Sequence, residues 1–407
     1  MVSLIGFKTM DDFDFNGKTV LVRVDLNCPV EGGKIVSSER VAAHAKTVKE
    51  LANKGARVVV LAHQGRAGGE DFLTLEQHAE ALARAAKKKV KFVADVIGPE
   101  ALKRIQRLPA GKILLLDNVR LLAEETLEKS AEEHAKSVMV QRLAPLVDVF
   151  VNDAYSASHR SHCSVVGFAA VKPSCAGRVM QRECEENARA AERAEHPNVY
   201  VLGGAKPDDV VKLLKRAAES SDVDSVLLGG VVGELALMAK GNNLGAVTKN
   251  FLEEKGWLKA LPEVRAALEK GGGKMVLPVD LAFEEGGQRV EVDVGAPLNG
   301  VAGDVGSKTA KKFAGIVMAA KSVYVKGPLG RFEVEVLSLG TRKVFEAVAR
   351  CKGFSLVGGG HTLEAFKRVG VNEKRISHVS LAGGALLSYL AGEKLPGVEA
   401  LKAAAGR

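Results

Sequence analysis

Residues 19–63 read TVLVRVDLN (19–27), then RVAAHAKTVKELANKG (40–55), then ARVVVLAH (56–63). A short run rich in Val and Leu gives way to an amphipathic helical stretch, and a second apolar run follows. The same order continues through LTLEQHAEALARAAKK (73–88), KVKFVAD (89–95), KILLLDNVR (112–120) and VDVFVNDA (147–154). Apolar strands separated by amphipathic helices predict an α/β fold with mainly parallel sheets covered on both faces. Ligands of such sheets bind beyond the carboxyl ends of the strands.

The second half repeats the theme with NVYVLGGA (198–205), DSVLLGG (224–230), KMVLPVD (274–280), SVYVKGP (322–328), FSLVGGG (354–360) and HVSLAGG (378–384). Most of these strands run into glycine, whereas those of the first half run into Asp, Asn, His and Arg. Charged strand ends grip an anionic substrate through side chains. Glycine-rich ends leave backbone N–H groups at helix N-termini, which suits nucleotide phosphates. The divide is expected between Pro173 and Pro197, where CAGRVMQRECEENARAAERAEH reads as one highly charged connector helix. The expected domains are therefore residues 1–173 and 197–390, with an interdomain helix at 174–196 and a tail at 391–407.

A chain of 407 residues is long for one core and suits two domains of about 200 residues. The expected compartment is the cytoplasm. No apolar run approaches the roughly 20 residues that cross a bilayer, so no membrane partner is expected. MVSLIGFKTMDDFDF has no basic start and meets acidic residues too early for a secretory leader. The five cysteines are scattered, with no CxxC pair, and read as packed side chains. The formal charge is +9, but aromatic residues are only 5% of the chain and leave few platforms for stacking bases. No nucleic-acid partner is expected, and small polyanionic metabolites are the other use for such charge.

Four strand ends of the first half carry the chemistry. They are Arg23 to Pro29 with Asp25 and Asn27, then His63-Gln64-Gly65-Arg66, then Asp117 to Arg120, and Asn152-Asp153 leading to Arg160. Arg40 opens the helix that follows the first strand. Singly, each reads as a capped turn or a surface ion pair. Repeated arginines at strand ends offer bidentate forks for carboxylate and phosphate oxygens. In the second half, Lys206 follows the pair Gly203-Gly204, but GxxxxGK[ST] is absent and the P-loop reading fails. The glycines at 358–360 and 383–384 are, alone, compatible with tight turns.

Together these segments resemble phosphoglycerate kinase, in order and over nearly the whole chain: RVDLNCP, HQGR, LLLDNVR, VNDAYSASHRSHCS, LGGAK, LPVD, GDVGSKT, KGPLGRFE, GGGHT and LPGVEAL. The resemblance implies two Rossmann-like domains joined by a hinge and facing across a cleft that closes against water. It implies reversible phosphoryl transfer between 1,3-bisphosphoglycerate and ADP. It places 3-phosphoglycerate on Asp25, Asn27, Arg40, His63, Gln64, Gly65, Arg66, Arg120 and Arg160. The nucleotide, ADP or ATP, falls to Lys206, Glu333, Gly358, Gly359, Gly360, His361 and Thr362. Arg40 and Lys206 become the candidates for neutralising charge in transfer. Mg²⁺ is expected on the nucleotide phosphates, with no protein side chain as metal ligand, and the chain is expected to be a monomer.

The departures fall on the nucleotide side. The family usually carries a second lysine where Val210 stands, an aspartate where His361 stands, and an asparagine where Lys326 stands. The usual STGGGA reads Ser380 to Ala385, without its threonine and one glycine. Two readings stay open: an active branch similar to archaeal members, or a paralogue that binds nucleotide or polyanion without catalysis. The survival of Arg40, Lys206 and Glu333 favours the first.

Overall fold

A computed structural model describes residues 6–36 and 39–406. The first five residues of the stretch read above for a leader lie outside the described residues, as do the last residue of the tail and positions 37–38. Among the described residues, seventeen strands follow in chain order. The first eight are β1 (Thr19–Arg23), β2 (Val30–Glu31), β3 (Lys34–Ile35), β4 (Arg57–Leu61), β5 (Val90–Phe92), β6 (Ile113–Leu115), β7 (Val149–Asn152) and β8 (Ser174–Ala176). The others are β9 (Asn198–Leu202), β10 (Ser225–Leu228), β11 (Met275–Val276), β12 (Asp280–Glu285), β13 (Gln288–Asp293), β14 (Asp304–Val305), β15 (Ser322–Lys326), β16 (Phe354–Gly358) and β17 (His378–Ser380).

The chain divides into two compact units, Met1–Glu185 with Lys394–Arg407, and Glu186–Glu393. The first unit holds a six-stranded sheet in the order β5-β6-β4-β1-β7-β8. Every pairing in it is parallel. The central strands are mostly apolar and buried because both faces are covered. Val20 and Val22 enter one core layer with Val48 and Leu51 of the helix Glu39–Asn53, while Leu21 enters the opposite layer with Phe150 and Phe168. This is the two-residue period of a strand, read by two cores at once. The tail forms the helix Pro396–Ala405 and returns to this unit, where Ala400 and Ala404 join the Leu21 layer.

The second unit carries a six-stranded sheet in the order β11-β10-β9-β15-β16-β17, again with every pairing parallel. Tyr200 and Leu202 of β9 face one core, and Val199 and Val201 face the other. A three-stranded antiparallel sheet, β13-β12-β14, lies outside this layering. The charged helix expected as a connector spans Arg178–Ala191, and the boundary between the units falls within it.

In each sheet the strand order reverses at one place. The first unit builds outward from β1 through β4 on one side and through β7 on the other. The second builds from β9 through β10 on one side and through β15 on the other. Such reversals open crevices at the carboxyl ends of the strands, where open α/β sheets take their ligands.

Candidate functional site

At the reversal in the first unit, β1 ends in Arg23, a guanidinium with only 1% of its residue surface exposed. Its Nε donates to Ser164 Oγ at 2.7 Å, and that hydroxyl donates to Glu125 Oε1 at 2.7 Å. At the other end of the fork, Arg23 Nη2 lies 2.9 Å from His63 Nδ1. A guanidinium cannot accept a hydrogen bond, so Nδ1 of His63 is the acceptor and its ring proton sits on Nε2. Burial, reinforced by the charge of Arg23, pushes the His63 imidazole well below the usual histidine range. His63 is thus a neutral ring with a fixed tautomer and an N–H donor.

Asp25 is buried beside it. Its Oδ2 accepts from Arg40 Nη1 at 3.1 Å and from the Ser156 hydroxyl, and its Oδ1 accepts from the Asn27 amide at 2.9 Å. Burial works to raise this carboxyl, but the Arg40 guanidinium and the Ser156 hydrogen bond outweigh it and hold Asp25 well below the usual range. The result is a permanent carboxylate that orients Arg40, whose side chain keeps 33% exposure.

The loop after β4 is braced from below. Gln64 is fully buried, and its amide is occupied by Cys28, the carbonyl of Asp71 and His78. Its side chain therefore braces the loop. Asn27 Oδ1 accepts from the Gly65 amide at 2.9 Å, and Arg120 donates to the Gly65 carbonyl. Gly65 has φ +65°, and a Cβ there would stand 2.3 Å from the Asp71 carbonyl oxygen, so only glycine fits this turn. Arg120 is shifted down by burial and by its neighbours Arg160, Arg23 and Arg66. These arginines act against the pull of Glu125, so the crevice concentrates positive charge suited to a multiply charged anion.

At the reversal in the second unit, the loops after β9 and β15 are laced together. The Gly203 amide donates to the Lys326 carbonyl at 2.7 Å, and the Gly204 amide to the Pro328 carbonyl at 2.7 Å. A Cβ on Gly203 would lie 2.2 Å from the Pro328 oxygen, so the close approach requires glycine. Lys206 follows at the N-cap of the helix Pro207–Glu219 and is exposed. Thr362 is buried; its hydroxyl donates to the Gly358 carbonyl at 2.8 Å and accepts from the Gly327 amide at 2.9 Å. It ties the loops after β15 and β16 and is a brace, like Gln64.

A cleft of about 620 Å³ opens here. Gly204, Ala205 and Pro328 form part of its wall, Phe251 and Trp257 supply aromatic surface, and Glu333 and His361 stand on its polar side. His361 Nε2 lies 3.3 Å from Glu333 Oε1, and its ring meets Phe332 edge-on at 5.0 Å. The structure thus brings His361 to the carboxylate of Glu333. Glu333 keeps 48% side-chain exposure and offers acceptors to a diol.

Two residues that the sequence reading named but did not place among the site residues belong to this picture. Lys326, the last residue of β15, lies close enough to the glycine loop that a Cβ on Gly359 would sit 3.4 Å from its ammonium. Burial and the charge of Lys206 lower it, against the pull of Asp209. Arg23 is the other: its signal was a lone charged residue inside an apolar strand run.

A family model described as phosphoglycerate kinase matches residues 10–393. The phosphoglycerate kinase of Methanopyrus kandleri is 44% identical over 397 residues, covering 97% of both chains. That of Methanothermobacter thermautotrophicus is 43% identical over 398 residues, again covering 97% of both. Among solved structures, phosphoglycerate kinase from Pyrococcus horikoshii superposes with a TM-score of 0.89 at 38% identity, covering 98% of this chain and 99% of that one. The enzyme from Coxiella burnetii gives 0.84 at 31% identity, with 98% and 100% covered.

Proposed function

Since the chain belongs to the phosphoglycerate kinase family, we propose that its first unit holds 3-phosphoglycerate and its second holds the adenine nucleotide. The enzyme moves a phosphoryl group reversibly between 1,3-bisphosphoglycerate and ADP, giving 3-phosphoglycerate and ATP. The relatives reported above are themselves phosphoglycerate kinases, and nothing favours a non-catalytic paralogue. The observation that carries the assignment of ligands to units is the contrast between the two crevices. One gathers Arg23, Arg66, Arg120 and Arg160 around a neutral His63; the other is a cleft with aromatic surface from Phe251 and Trp257, lined by the glycines that follow the strands.

In the direction of ATP synthesis, a β-phosphate oxygen of ADP attacks the acyl phosphorus. A new P–O bond forms while the acyl P–O bond breaks, and the glycerate carboxylate leaves with the electron pair. No side-chain nucleophile is required, so the protein's task is positioning and charge neutralisation. Arg40, oriented by Asp25, and Lys206 neutralise the transferring group. His63, Arg66, Arg120 and Arg160 hold the glycerate's phosphate and carboxylate, with Asp25 and Asn27 shaping the site. Glu333 takes the ribose hydroxyls. The loop 358–360 receives nucleotide phosphates at the N-terminus of the helix Gly360–Arg368, and Lys326 supplies there the second positive charge that Val210 does not.

Mg²⁺ is a hard ion that prefers oxygen and keeps its waters. Beside the glycine loop stand Lys326 and His361, and the nearby carboxylate of Glu333 is assigned to the ribose, so phosphate oxygens and water are its proposed ligands. Bound there, it would neutralise charge on the polyphosphate. We place the enzyme in the cytoplasm as a monomer; the five cysteines are free thiols, four of them buried, and no helix among the described residues is long and apolar enough to cross a membrane.

A coupled assay with 3-phosphoglycerate, ATP and Mg²⁺ tests the assignment of Arg40. Turnover should fall by about a hundredfold or more in Arg40→Ala, the scale of losing one transition-state donor. Arg40→Lys should recover only part, because an ammonium cannot reproduce a bidentate fork. An Arg40→Ala enzyme with most of its turnover intact would remove Arg40 from the chemistry.

A further inference from the structure

The wall of the second-unit cleft contains a residue that nothing above uses. The helix Gly230–Ala239, sequence GVVGELALMA, is apolar except for Glu234. Val231 and Glu234, three residues apart, share the helix face that lines the cleft. Glu234 is 7% exposed, and its Oε2 is buried without a hydrogen-bond partner. Its neighbours in the cleft include Phe251 and Trp257, whose rings meet at 5.8 Å in an edge-to-face pair. A buried carboxyl left unpaired in such a wall costs stability unless something else pairs with it. The base of a nucleotide is flat, suits aromatic surface and carries hydrogen-bonding groups at its edge.

We propose that Glu234 reads the base, its carboxyl pairing with the amino edge of adenine. The inference rests on the placement of the nucleotide in this cleft. Burial pushes the carboxyl up to about 8, opposed by the charge of Arg331, so at neutral pH it is mostly the uncharged acid. Besides Arg331, the other ionisable groups in the cleft wall are Glu333 and His361. An uncharged carboxyl carries one donor and one acceptor. Its carbonyl oxygen accepts from the exocyclic amine, and its hydroxyl donates to the neighbouring ring nitrogen. Glu234 is then a specificity residue for the purine amine, and the base supplies the hydrogen bonding that its carboxyl lacks within the protein.

Trp257, the only tryptophan in the chain, lines the cleft and gives a direct signal. Its fluorescence is titrated with ADP and with purine riboside diphosphate, which lacks the amine. The full-length protein should bind ADP about tenfold more tightly, the scale of one buried hydrogen bond. In Glu234→Leu that ratio should collapse towards one, while Glu234→Gln should keep it, because an amide carbonyl still accepts from the amine. Wild-type protein that binds both ligands equally overturns the proposal without any variant, as does a ratio that survives in Glu234→Leu. ADP that binds the protein without changing Trp257 fluorescence overturns the cleft placement as well, which separates the two failures.

Discussion

Glu234 also has a consequence for stability that can be read apart from any ligand. Its carboxyl titrates at about 8 in the folded chain, against 4.5 as the ordinary value. Between those values the native state holds a proton that the unfolded chain has released. Stability therefore falls as pH rises through that window, and the penalty is complete above about 8. Glu234→Gln removes the titration. The variant's melting temperature relative to wild type should rise steadily from pH 5 to pH 8, by the equivalent of a few kcal/mol for a group so deeply buried. A difference that stays flat across that range would show that the carboxyl is solvated in solution. Glu234 was also the hardest residue to read in advance. One carboxylate in an apolar helix looks like an incidental polar position until the fold shows which cavity it lines.

At the scale of elements, the strand and helix alternation was legible because both sheets are parallel and covered on two faces. Runs such as TVLVR and NVYVL are buried at every position for that reason. What the sequence could not convey was which polar residues face a ligand and which hold a loop. Gln64 and Thr362 are themselves expected ligand contacts, yet their side chains are buried and committed to neighbouring backbone. The reverse holds for Lys326, which reads as a departure at the end of β15 and is brought by parallel pairing with β16 to the glycine loop. There we propose it as an anchor for phosphate beside the N-terminal end of the helix Gly360–Arg368. Lys326→Met should weaken ADP binding about tenfold, as the loss of one charge-assisted contact implies, and should leave 3-phosphoglycerate binding unchanged. Calorimetric titration showing undiminished ADP affinity would return Lys326 to a packing role.

For the whole molecule, the charged strand ends and the glycine-rich ones fall on either side of the boundary between the two units at Glu185 and Glu186. The return of the tail to the first unit could not be read in advance, since LPGVEAL gives no hint of its destination. The helix Pro396–Ala405 is held there by apolar contacts of Ala400 and Ala404 and by the Gly397 amide, which donates to the Ser158 carbonyl at 2.9 Å. Pairings so distant in sequence leave no local signal. The central claim is the assignment of one substrate to each unit. Hydrogen exchange of the full-length protein, resolved by peptide and measured separately with 3-phosphoglycerate and with ADP, tests it most directly. 3-Phosphoglycerate should protect backbone amides around 63–66, 118–120 and 156–162, and ADP those around 203–206, 327–333 and 358–362. ADP protection centred on His63 and Arg120, with none at 203–206, would contradict the account.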